Sequence, residues 1–183
     1  MSSNSDIQPA STLPPQIRKH FPFTSRFMQI NGHRMPYVDE GEGDPILLLH
    51  GNPTWSFLYR KFIPRLVAAG NRVIAPDHIG FGLSERLPRE HDFSLENHIS
   101  NLAQFIRKLG LERLTVVCQD WGGPTGLACA VLQPSAATAI VVMNTWAVPQ
   151  TQPFQRSGFP WRRVADPRAG PLLFIRANTR LEA

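Results

Sequence analysis

The sequence is short of cysteine, lysine, tyrosine and long apolar runs. It has two cysteines in 183 residues, Cys118 and Cys129. That excludes a disulfide framework, and their apolar settings imply a reducing compartment. No stretch approaches the roughly 20 apolar residues of a membrane span. The longest are Ile46–Leu49 and Ala139–Met143. Met1–Pro15 is rich in Ser, Pro and Asn and holds no apolar signal-peptide core. A cytoplasmic protein with a flexible arm over 1–25 is therefore expected. Hydrophobic residues make up 42% and charged residues 18%, which excludes wholesale disorder and leaves one domain of ordinary size.

Proline is plentiful. There are 17 in 183 residues, nearly twice the usual share of about 5%, so short helices and many loops are expected. The net charge of +5 is unevenly spread. Residues 150–183 carry six Arg against Asp166 and Glu182, whereas residues 1–149 carry 13 basic and 12 acidic side chains. No aromatic-basic module accompanies the Arg-rich tail, so it reads as a solvated helix face, and neither nucleic acid nor membrane is expected as a partner.

Phe27–Ile30 and Arg34–Val38 flank Asn31-Gly32, the strongest short hairpin signal. Beyond it, continuous apolar runs predict buried strands at 45–50, 72–76, 114–119 and 139–144. Helices are predicted at 54–69, broken or kinked at Pro64, at 94–109 with Ser94 as N-cap, and at 123–132. Buried strands alternating with helices give an α/β fold with a mostly parallel sheet covered on both faces. Ligands bind such sheets at the carboxyl ends of the strands. Those ends read His50-Gly51-Asn52-Pro53, Asp77-His78-Ile79-Gly80-Phe81-Gly82, Gln119-Asp120-Trp121-Gly122-Gly123 and Asn144-Thr145-Trp146.

Cys118-Gln119-Asp120-Trp121-Gly122 has the small-x-nucleophile-x-small form of a nucleophile elbow between strand and helix. The central side chain is a carboxylate, and no G-x-S-x-G occurs, so serine-esterase chemistry is disfavoured. A carboxylate nucleophile displaces a leaving group from saturated carbon and forms an ester. The competing role for Asp120 is to cap the following helix. Displacing a halide requires donors for the departing anion. The Trp121 indole N–H and the Asn52 side-chain amide are uncharged donors that would not neutralise the nucleophile. Simple packing for Trp121 and an Asx turn for Asn52 are the bland alternatives. The backbone N–H groups of Asn52 and Trp121 are also candidates for an oxyanion hole.

The segments HGNPTWSFLYR (50–60), PDHIGFGLS (76–84) and QDWGG (119–123) resemble the haloalkane dehalogenases of the α/β-hydrolase superfamily. The resemblance runs from about Phe27 to Pro149. It implies that Asp120 is the nucleophile, that Asn52 and Trp121 hold the halide, and that no cofactor or metal is needed. The partners it implies are a small halogenated hydrocarbon, water and a halide ion. It further implies a water activated by a histidine, which a second acid orients. In one branch that acid is a Glu directly after the sixth strand, where this chain has Asn144; this departure points to the branch whose acid is a later Asp. All six histidines (20, 33, 50, 78, 91, 98) precede Asp120, and His50 and His78 belong to the turns. A base His and acid are thus expected to be absent from the chain.

By the same resemblance, 26–147 is the hydrolase core with its last strands missing, and 148–183 is the beginning of a helical cap. A C-terminal shortfall on the order of 100 residues is expected. DWGG is also found in epoxide hydrolases, which need phenols to protonate the epoxide oxygen. The two Tyr here are Tyr37 and Tyr59, neither in the cap segment. A non-catalytic interaction protein is the third reading. An unaccompanied apolar 139–144 strand predicts self-association.

Overall fold

A computed structural model of the chain describes residues 13–87 and 90–145. The expected cap segment and Trp146 lie outside the described residues. The first two strands, β1 (Arg26–Ile30) and β2 (His33–Glu40), form the hairpin, with Ile30 opposite His33. Asn31 and Gly32 both have positive φ, 49° and 84°, as a two-residue primed turn requires. The hairpin tip is tied to the helix α3 (Leu95–Lys108). The Asn31 N–H donates to Gln104 Oε1 at 2.7 Å, and the Asn31 amide donates to Asn101 Oδ1 at 2.8 Å.

The remaining strands are β3 (Asp44–Leu49), β4 (Asn71–Pro76), β5 (Leu114–Gln119) and β6 (Ala137–Met143). The sheet order is β1-β2-β4-β3-β5-β6. β2 runs antiparallel to β1 and β4, and the other pairings are parallel. Alternation along β3 divides the core. Leu47 and Leu49 face Leu102, Phe105 and Ile106 of α3, whereas Ile46 and Leu48 face Tyr59 and Ile63. Leu47, Leu48 and Leu49 are fully buried, each contributing about 2 kcal/mol of apolar burial.

Three expectations need correction. The predicted 54–69 helix is a 3₁₀ turn, Ser56–Tyr59, followed by a short helix α2 (Ile63–Ala68). Of the two effects expected of Pro64, a break and not a kink is found, and Pro64 occupies the first turn of α2. Its missing N–H is harmless there, and its fixed φ favours initiation. The expected arm over 1–25 is packed where it is described. Phe21 is 1% exposed and stacks near Trp55 and Phe57, and a short helix α1 (Pro15–Arg18) precedes it. Finally, β6 is not buried. Five of its seven residues are exposed, although all but Thr138 are apolar. α3 forms as expected: Ser94 Oγ accepts the Asn97 N–H at 3.2 Å.

Candidate active site

β5 delivers Asp120 to the carboxyl edge of the sheet, and the helix α4 (Gly122–Leu132) leaves immediately after it. Asp120 has φ 53°, a left-handed conformation that costs a non-glycine residue about 1–2 kcal/mol. That backbone turns the side chain out of the strand–helix junction. Small residues make the turn possible. A Cβ on Gly122 would overlap the Leu49 carbonyl, one on Gly123 would overlap Thr145, and one on Gly51 would overlap the Asp120 side chain itself.

The capping role for Asp120 is not what the structure shows. Trp121 stands at the N-cap of α4, and its side chain makes no capping hydrogen bond. Instead the Asn52 backbone N–H donates to Asp120 Oδ1 at 2.8 Å. One carboxylate oxygen is thereby fixed by an amide of the loop after β3. The backbone of Asp120 is held as well. Its N–H donates to the Asn144 carbonyl at 3.3 Å, and its carbonyl accepts from the Gly123 N–H at 2.9 Å and the Thr145 hydroxyl at 2.5 Å. Asn144 itself has φ 44°. Trp121 is 44% exposed, whereas Asn52 is partly buried. The structure thus brings Asp120 and Asn52 into direct contact, with Trp121 next in the chain.

The loop that carries Asn52 is pinned from below by two buried titratable groups. The His50 Nδ1–H donates to the Gly51 carbonyl at 2.9 Å, and Nε2 accepts the His78 N–H at 3.0 Å. Burial holds His50 down to about 4, so it is a neutral strut with both nitrogens engaged. Asp77 accepts the Ser56 N–H at 2.9 Å and the Leu83 N–H at 2.8 Å. Burial pushes its carboxyl up to about 6, against the lowering effect of those hydrogen bonds. His50 and His78, read from sequence as structural, have that place here.

Tyr59 is fully buried and its hydroxyl donates to the Leu49 carbonyl at 2.8 Å. Tyr37 packs edge-on against Phe105 in the core. Both phenols are buried, and the Tyr59 hydroxyl is spent on a strand carbonyl. Sequence reasoning missed Thr145 as a partner of Asp120. The only signal for it was the second glycine of DWGG, whose missing side chain makes room for Thr145.

The family profile of the alpha/beta hydrolase fold matches residues 44–172. Haloalkane dehalogenase 2 of Mycobacterium tuberculosis is 46% identical over 138 residues, covering 75% of this chain and 46% of the relative. A cis-3-alkyl-4-alkyloxetan-2-one decarboxylase of Shewanella oneidensis is 38% identical over 136 residues, covering 72% of this chain and 42% of the relative. Among solved structures, the tetrameric haloalkane dehalogenase of Paraglaciecola agarilytica superposes with a TM-score of 0.74 at 36% identity, covering 87% of this chain and 56% of that one. An epoxide hydrolase of Vigna radiata superposes with a TM-score of 0.72 at 25% identity, covering 85% and 54%. The chain spans about half the length of the curated relatives it matches. It belongs to the α/β-hydrolase fold family, and its resemblance within that family is to the haloalkane dehalogenases.

Proposed function

We propose that the chain carries the alkylation half of a haloalkane dehalogenase. Asp120 Oδ2 attacks the halogen-bearing carbon, the carbon–halogen bond breaks, and the halide leaves toward the Asn52 amide and the Trp121 indole. The product is an alkyl ester on Asp120. The observation that carries this reading is the Asn52 N–H bond to Asp120 Oδ1. It orients the carboxylate and would meet the charge on that oxygen when water attacks the ester. The Trp121 backbone N–H is the proposed second donor to that oxyanion.

Ester hydrolysis needs a base. No histidine follows Asp120 in these 183 residues, and both nitrogens of His50 are committed. The 183-residue chain is therefore expected to be alkylated once and not to turn over. The test is incubation with 1,2-dibromoethane or 1-iodobutane, followed by halide assay and intact-mass peptide mapping. The expected result is one halide per chain and one adduct on Asp120, absent in Asp120→Asn. Absence of the adduct overturns the nucleophile assignment, and many halides per chain overturn the single-turnover expectation.

An epoxide hydrolase reading is disfavoured by the core positions of Tyr37 and Tyr59. Steady diol formation from an epoxide would reinstate it. An oxetan-2-one tested in parallel separates the dehalogenase reading from the chemistry named for the Shewanella relative.

A further inference from the structure

Thr145 closes the turn after β6, and its hydroxyl donates to the Asp120 carbonyl at 2.5 Å. The same carbonyl accepts the first amide of α4 that can reach it, the Gly123 N–H at 2.9 Å. One residue earlier, Asn144 offers its own carbonyl to the Asp120 N–H. Residues 144 and 145 therefore hold both backbone polar groups of the residue that sits in the left-handed region. Gly123 completes the fit, since any side chain there would collide with Thr145.

We propose that Thr145 is a positioning residue for Asp120. It has no role on the reacting atoms. Its hydroxyl holds the strained elbow in the one backbone rotation that directs the carboxylate at the Asn52 amide. The proposal rests on the reading of Asp120 as nucleophile for its kinetic consequence, but not for its structural one. A free elbow would relax toward ordinary φ values and rotate the carboxylate away from Asn52. Valine has the shape of threonine without the donor, whereas serine keeps the donor.

Two readouts on the full 183-residue chain test this. The first is the rate of adduct formation on Asp120 with 1,2-dibromoethane. Thr145→Val should slow it about tenfold, within the roughly hundredfold that a 1 Å misplacement can cost, and Thr145→Ser should stay within about twofold of the parent. The second is hydrogen exchange of the Asn52 amide, which reports the bond to Asp120 Oδ1 without any reaction. Thr145→Val should lose protection about tenfold, and Thr145→Ser should retain it. Unchanged Asn52 protection in Thr145→Val overturns the proposal whether or not the protein is alkylated. A loss in Thr145→Ser as large as in Thr145→Val overturns it too, because the hydroxyl would then not suffice to hold the elbow. If the parent is not alkylated but Thr145→Val still loosens Asn52, the positioning role stands and the dehalogenase reading falls. Thermal melts of both variants identify any that fail to fold, and Thr145→Ala then replaces the valine variant.

Discussion

At the residue scale the site depends on how closely three glycines let other groups approach Asp120. Gly51 is the most exposing test, because an added methyl would occupy the space of the Asp120 carboxylate. Gly51→Ala is expected to displace that carboxylate from the Asn52 amide and reduce the alkylation rate at least tenfold, while costing about 1–3 kcal/mol by overpacking. Mass-adduct kinetics and urea melts measure the two effects; alkylation at the parent rate would mean that the loop gives way instead. Asn52→Ala leaves its backbone N–H in place and removes only the side-chain donor. It should weaken halide binding about tenfold, by the loss of one hydrogen bond to an anion, read from iodide titration of tryptophan fluorescence. The sequence pattern singled out Asp120, Asn52 and Trp121 only when the strand–helix junction was read together with the HGNP turn, and the fold brings the first two into contact. Thr145 was not legible. A hydroxyl after a strand is common, and only the fold shows that it lands on the Asp120 carbonyl.

Elements carry the next level of constraint. The loops after β3 and β4 are locked together by the His50 and Asp77 hydrogen bonds. These two groups have opposite pH signatures. His50 titrates near 6.5 when unfolded but at about 4 in the fold. Between those values the unfolded chain binds the extra proton, so stability falls as pH drops from about 6.5 to about 4, by about 3 kcal/mol. His78 and His98, whose rings lie 5.7 Å apart, are also lowered by burial and add to the loss. Asp77 titrates at about 6 in the fold against 3.8 unfolded. Below pH 6 the folded state takes the proton first, so this group offsets the histidines down to about pH 4. Asp77→Asn should therefore steepen the acid loss of stability between pH 6 and 4. Urea midpoints measured from pH 7.5 to 4.5 give the slope, and a variant with the parental slope would contradict the assignment. The same loops explain where the sequence misled. Phe57, Leu58, Phe62, Leu66 and Val67 have helical spacing, but Trp55 and Phe57 are drawn onto Phe21. That packing is tertiary and invisible to periodicity. The inner strands β3, β4 and β5 were legible almost to the residue, since burial on both faces leaves a continuous apolar run.

For the whole molecule the decisive feature is β6. It is the last strand of the sheet among the described residues, and its segment Ala137–Met143 contains no charge and no proline. Ile140, Val141 and Val142 are 44%, 45% and 53% exposed, and Val131 and Leu132 at the end of α4 are 78% and 66% exposed. An exposed apolar edge pairs readily with another strand, and an uncharged one does nothing to repel its own copy. The 183-residue chain is therefore expected to associate in solution, with an apparent mass that rises with concentration in size-exclusion chromatography with light scattering. Val142→Lys should shift it toward monomer, because a charge on the edge must be desolvated when two copies pair. If the parent is already monodisperse and monomeric, with a cooperative melt, the edge does not drive association. If Val142→Lys and the parent associate equally, the contact lies elsewhere, and Val131 and Leu132 become the residues to charge next.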